Sequence, residues 1–478
     1  MRILRFGAPS VALTLLAAGP VSDLPAQASR GALARGAFAI TDVTVIPMTA
    51  DTMLVAATVL VRDGRIAAVG PSRSVRIPSG ARRIDGRGKY LIPGLADLHT
   101  HLYSDDAVPD SVAPDELGVM VANGVTAIRL MIGTPEHLVL RRDIIAGRIL
   151  GPQLWVASPQ LAGKPYDNGI VVTTPDEARA AVRRVKADGY DLVKLTLFIT
   201  RPVYDAIVDE ANQAGIRVVG HVDSDVGVAR AIEAGQQIEH LDNYFESALA
   251  DSAPMRESVT QFGVFTPDNW KSLDYVDDRK LDALAGATAR GGIWSTPTLN
   301  VFNQAFAIGM TDAEIHGRPD WQMMPAAWRE LYLGARRKYW AKPALESRRK
   351  RYVDVRNRLV KAIVDSGGKL LAGSDSPEWF HVYGWALHRE LASFVTAGLT
   401  PWQALAAATR NPAGFFCALA EWGTIEPGKR ADLVLLAANP LENITNTERI
   451  EAVSLGGRWL PKVELDRMIR RAAERLAP

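Results

Sequence analysis

The sequence is poor in the groups that most often staple a chain or anchor it. It has one cysteine, Cys417, among 478 residues, which excludes an intrachain disulfide and any cysteine-rich zinc site. Any metal must therefore be held by His, Asp, Glu or Lys chemistry. No apolar run reaches the roughly 20 residues needed to cross a bilayer, so no membrane span is expected. Neither sign of charge is in excess: 55 Lys+Arg against 53 Asp+Glu leave +2. The one compact basic run, Arg348-Arg-Lys-Arg351, reads as a solvated helix face, and no nucleic-acid partner is expected. Histidine is scarce as well, with eight in the chain, so where each one falls is informative. The rest is ordinary: 47% hydrophobic and 23% charged residues exclude a disordered or collagen-like chain. The length suits two to four domains, or one large barrel with an appendage.

Residues 1–28 read as an export leader. Arg2 and Arg5 precede the apolar run Val11–Ala18, and Ala26-Gln27-Ala28 supplies a small-residue cleavage site. That pattern is a secretory signal and places the mature protein in the periplasm or outside the cell.

Residues 37–93 alternate in the manner of short strands. Ala39–Ile46 and Ala57–Arg62 are β-branched, and Asp63-Gly64 is a turn signal before Arg65–Gly70. From 94 to 420 apolar strand-like runs alternate with amphipathic helical stretches. The runs are Leu95–His99, Val125–Met131, Gln153–Ala157, Asp191–Leu197, Arg217–Val222, Gln237–Leu241, Gly292–Pro297 and Lys369–Ser374. Between them, Pro175–Asp188, Pro202–Ala214 and Ser224–Ala234 have helical spacing. Eight such units predict an α/β fold, a (β/α)8 TIM-type barrel, over a two-layer sheet. Strands return at Ala431–Leu436 and Ile450–Leu455. Residues 421–462 are thus expected to pair with 37–93 in a small β-sandwich built from both chain ends. A C-terminal amphipathic helix follows over 463–478. The connections at 254–290 and 302–361 are long enough to serve as lids or substrate walls.

The chemistry concentrates at the ends of these strands. His99 and His101 sit two apart on the first, so both imidazoles face one side. Lys194 ends the fourth, His221 the fifth, His240 the sixth, and Asp375 the eighth. Catalytic groups of such barrels occupy that face. Imidazole and carboxylate suit divalent zinc, manganese or nickel, and a bound water on an open position ionises near neutral pH. A lysine ammonium cannot ligate. Among Leu192, Val193 and Leu195 the neutral amine is favoured, and it can capture carbon dioxide as a carbamate, an anionic oxygen ligand. Each residue also has a plainer reading: Lys194 as an ion-pairing lysine, Asp375 as a turn cap, His221 and His240 as core histidines. His137 and His316 read as surface groups. Arg129 is a candidate for holding a substrate carboxylate, and Tyr244 and His381 are candidates near the mouth.

Together Ile92-Pro-Gly-Leu-Ala-Asp-Leu-His99-Thr-His101, Asp191-Leu-Val-Lys194, Gly220-His221, Ile238-Glu-His240 and Ala372-Gly-Ser-Asp375 resemble the amidohydrolase superfamily. Asp63–Gly70 and Gly423–Leu435 flank them as in its members, so the resemblance runs over residues 38–460. It is closest to the imidazolonepropionase-related branch with exported dipeptidase- or carboxypeptidase-like members. Imidazolonepropionase itself fits less well, since it uses one metal and lacks the bridging lysine. The resemblance implies one metal on His99, His101 and Asp375. A second would lie on His221 and His240, with carbamylated Lys194 bridging, Asp375 as general base, and zinc as the first expectation for both ions. It implies a small-molecule amide substrate hydrolysed by metal-activated hydroxide. Lactone, carbamate and phosphotriester hydrolysis, and a non-catalytic metal-binding protein, remain alternatives, and a homo-oligomer is left open. The chain departs from its relatives at Ile128-Arg-Leu-Met-Ile-Gly133 and Leu241-Asp-Asn-Tyr244, both where substrate is expected.

Overall fold

The computed structural model describes residues 36–102, 112–165, 169–253, 269–301, 310–340 and 346–476. The expected leader lies outside them, as do parts of both long connections. No described helix is long and apolar enough to cross a membrane.

Each of the eight expected runs contains a barrel strand: β1 (Leu95–Thr100), β2 (Val125–Leu130), β3 (Gln153–Val156), β4 (Leu192–Leu195), β5 (Arg217–Gly220), β6 (Gln237–Glu239), β7 (Trp294–Thr296) and β8 (Lys369–Leu370). β1, β2 and β3 pair in parallel, as do β4 through β8. Two seams join the groups. An Ala157–Leu192 bridge ties β3 to β4, and a Thr100–Ser376 bridge ties β1 to the chain leaving β8. At the second seam Leu98 N–H donates to Ala372 O (2.9 Å) and Asp375 N–H to His99 O (2.7 Å). β8 is thus only two residues long as a strand, yet its extension is pinned to β1 as far as Asp375. β1, β2 and β4 are buried at every position, as strands covered on both faces should be. Covered strands leave no exposed face for a charge, so Arg129 and Glu239 need partners inside the barrel, and they find each other.

Helices cover the outside. Pro175–Asp188 starts where expected, at a Thr174/Glu177 capping box, and stops at Gly189 with φ 88°. Arg201–Ala214 buries Val203, Ile207 and Ala211. The expected helix over 224–234 is shorter, Val228–Glu233. Gly227, at φ 74°, delays its start.

The chain ends build one eight-stranded sheet. Tyr90–Pro93 runs antiparallel to Leu433–Leu436, with Leu433 opposite Pro93, so the segments before and after the barrel are hydrogen-bonded directly. Phe38–Val45 pairs Arg82–Asp85 along its first half and Tyr90–Leu91 along its second. The sheet divides there and encloses Val43, Val59, Leu91 and Leu433. Helix Lys462–Leu476 follows, with Leu465 and Ala472 buried. Its Arg471 and Arg475 pair with Asp115 (2.9 and 2.6 Å) on helix Ala113–Ala122.

Candidate metal centre

The strand ends bring the expected side chains together. His99 Nε2 and His101 Nε2 each lie 3.3 Å from the same oxygen, Asp375 Oδ1. One ligand atom from each of the three lies within 4.8 Å of the others. His240 continues the cluster: its ring centroid is 4.6 Å from that of His99 and 4.9 Å from that of His221, on which it stacks at 18°. Lys194, 1% exposed, is near enough to oppose protonation of His99, His101, His221 and His240. Among the described residues no carboxylate comes within ion-pair distance of its Nζ.

Burial sets the charge states. It lowers His99 to about 4, aided by Lys194, and lowers His221 and His240, the latter well below the usual imidazole range. Neutral imidazole is the form that ligates. Burial likewise lowers Lys194 to about 8, although Glu239 and Asp375 pull the other way. Burial also opposes charge on His101 and Asp375, but their attraction outweighs it: His101 is raised, and Asp375, beside His99, His101 and His240, stays far below the ordinary carboxylate range.

Three of the rings are held through Nδ1, and that of His240 also lies 3.8 Å from Asp375 Oδ2. His99 Nδ1 meets Glu239 Oε2 at 2.6 Å, His221 Nδ1 meets Asp242 Oδ2 at 2.8 Å, and His240 Nδ1 meets Thr298 Oγ1 at 2.8 Å. Such partners fix ring orientation and tautomer. Asp97, two residues before His99, accepts from Ser374 N–H (2.9 Å) and Ser374 Oγ (2.5 Å), fastening β1 to the turn that carries Asp375. Non-glycine residues with positive φ gather at this rim: His240, Leu241, Thr298, Asp375, Trp379 and Phe380. Backbone strain of this kind persists where surrounding structure enforces it, often at functional sites. Converging imidazoles, an ionised carboxylate and a buried lysine fit a divalent cation.

Glu239, Asp97, Asp242 and Thr298 were not picked out as site residues from sequence. For Asp97, Glu239 and Asp242 a signal was present, an acidic group one or two positions from a rim histidine; Thr298 carried none.

Three expected substrate contacts are corrected. Arg129 is fully buried inside the barrel, bonded to Gln237 Oε1 (2.7 Å) and Glu239 Oε1 (2.6 Å), and cannot reach a substrate carboxylate. Tyr244, 1% exposed, gives its hydroxyl to a bond with Thr288 Oγ1 (2.6 Å) in the helical layer. His381 is buried between Asn300 Nδ2 (2.7 Å) and Glu378 O (2.6 Å). His137 is also not a surface group: it is 5% exposed, and its Nδ1 accepts from Thr134 N–H at a helix start. A small cavity of about 30 Å³ adjoins the cluster, lined by His240, Asp242, Phe245, Tyr352, Arg356 and Leu359.

A parallel barrel with a two-ended sheet, and histidines and an aspartate meeting at its rim, define a metal-dependent hydrolase architecture. The chain matches the amidohydrolase family over residues 90–460 and belongs to that family. Its fold is similar to that of a putative prolidase from Bifidobacterium longum, with TM-score 0.66 and 28% identity over 92% of this chain and 99% of that one. It is also similar to bottromycin amidohydrolase, with TM-score 0.72 and 25% identity over 92% and 90%. Enamidase of Eubacterium barkeri is 34% identical over 176 residues, 35% of this chain and 45% of that one. Such curated relatives are matched over less than half of their own length.

Proposed function

We propose that this protein is an exported binuclear metal-dependent hydrolase that cleaves an amide bond in a peptide-like, N-acyl or aryl amide substrate. The observation that carries the reading is the meeting of His99 and His101 on one oxygen of Asp375, beside the His221–His240 stack. The printed names of the similar proteins, a prolidase, an amidohydrolase and an enamidase, support amide substrates. Export rests on the leader pattern at 1–28.

In this reading His99, His101 and Asp375 hold one divalent ion, zinc by ligand chemistry, and His221 and His240 hold a second. Lys194, as the free amine, would add to carbon dioxide, forming an N–C bond and losing an N–H proton to solvent, and the carbamate would supply an anionic oxygen ligand. The ions, when bound, supply Lewis acidity toward the substrate carbonyl and toward water. Asp375 accepts the proton of the attacking water and delivers it to the amine nitrogen as the C–N bond breaks. Glu239, Asp242 and Thr298 hold the rings of His99, His221 and His240, whose burial favours the neutral form.

The test is turnover on a panel of dipeptides, N-acyl amino acids, aryl amides, lactones and phosphotriesters, with metal counted in parallel. Asp375→Asn and Lys194→Ala should each lose about 10²–10⁴-fold in rate on the amide that wild type cleaves. Wild-type turnover in both variants would sink the mechanism, and activity confined to lactones or phosphotriesters would move the assignment to that bond.

A further inference from the structure

The barrel interior holds a pair of opposite charges, Arg129 and Glu239, to which the proposed chemistry assigns no proton transfer. Glu239 is 0% exposed and both its oxygens are engaged, Oε2 with His99 Nδ1 at 2.6 Å and Oε1 with Arg129 Nη2 at 2.6 Å. Arg129, also 0% exposed, is fixed from three other places. Its Nε donates to Leu98 O on β1, its Nη1 to Gln237 Oε1 on β6 (2.7 Å), and its Nη2 to Thr296 Oγ1 on β7 (3.4 Å). Phe415 closes the space beside the guanidinium, its ring centroid 5.5 Å from Cζ. The bonds run without a gap from the backbone of β1, through Arg129 and Glu239, to the ring of His99.

We infer that Arg129 and Glu239 are positioning residues that set the tautomer and direction of His99, so that its Nε2 lone pair faces Asp375. The inference rests on the metal-site reading above. Burying two charges is expensive, and an apolar pair of similar volume often leaves a fold as stable or more so. Packing alone therefore gives little reason for an Arg–Glu pair here. A fully engaged carboxylate against Nδ1–H gives one, because it leaves Nε2 as the only ligating nitrogen and stiffens the ring. The other histidines lack this arrangement: His240 leans on a threonine, and the partner of His221 lies at the rim.

The experiment compares Arg129→Met, Glu239→Leu and the double variant. Two quantities are read: zinc affinity by chelator competition, and thermal unfolding of the metal-free proteins. Each single variant strands a buried charge and should unfold at a lower temperature. The double variant has no stranded charge and should recover most of that loss. Zinc affinity should behave differently, falling roughly 10–100-fold in Glu239→Leu and staying low in the double variant. A merely structural pair would regain zinc affinity together with thermal stability, and that result overturns the inference. If a single variant fails to fold, the double variant against wild type still decides. Wild type that binds no divalent metal would bring down the metal-site reading and this inference with it. Wild type that binds zinc, alongside a double variant of equal affinity, would remove the inference alone.

Discussion

The two-ended sheet and the barrel rim bury opposite kinds of side chain. The sheet encloses Phe38, Val43, Val59, Leu91 and Leu433, all apolar and nearly inaccessible. The rim encloses His99, Lys194, Glu239 and Arg129, just as inaccessible and all polar. Apolar burial stabilises by area and tolerates substitution by shape. Polar burial stabilises little and needs every partner in place. The contrast separates what holds this chain together from what lets it act, and it can be probed from either side.

The largest effect should come from Gly220, which joins β5 to His221. Its φ is +121°, and an added Cβ would stand 2.4 Å from Leu195 O. Gly220→Ala should push β5 from β4 and turn His221 out of the cluster. A loss of at least about 10²-fold in turnover is expected, with zinc stoichiometry read on the same sample, from geometric misplacement alone. Wild-type occupancy and rate would mean the rim tolerates more strain than its backbone suggests. On the other side, Leu433→Ala empties space in the sheet and should cost about 2–5 kcal/mol by denaturant unfolding. Zinc content and rate per folded molecule should not change; a parallel loss of zinc would merge the two regions into one unit.

A smaller effect tests the border between them. Asp320, buried between Arg318 and Arg389 (2.8 and 2.7 Å), is held at about 2: burial opposes its charge, but Arg389 and Arg318 outweigh that. Arg318 also donates to Phe380 O, just beyond Asp375. A folded value below the unfolded one means the stabilisation is present above about pH 4 and is lost as pH falls toward 2, by about 2 kcal/mol. Asp320→Asn should remove that acid slope while lowering the plateau at neutral pH; an unchanged slope would show that Asp320 is not its source.

The eight strands were legible because covered strands leave apolar runs of the right length, and the side chains that gather at the rim were legible because those runs end in His, Lys or Asp. The roles of Arg129, Tyr244 and His381 were not. Sequence places a residue on a strand or loop, but which way a side chain turns depends on neighbours distant in the chain. Arg129 points inward because Glu239 waits for it from β6. The hint was available: two opposite charges each sat as the single charge of a buried strand, and a buried charge needs a partner. The break of the 224–234 helix at Gly227 was legible in the same way, from one residue rather than from periodicity.

The joining of Tyr90–Pro93 to Leu433–Leu436 has a bearing on biogenesis. During synthesis the earlier strand emerges with a naked edge and must wait for the entire cylinder to be translated before its neighbour arrives. An exposed edge invites pairing with foreign chains. A nascent molecule stalled before its last strands should accordingly be the species most prone to clump and the one most in need of a chaperone's cover.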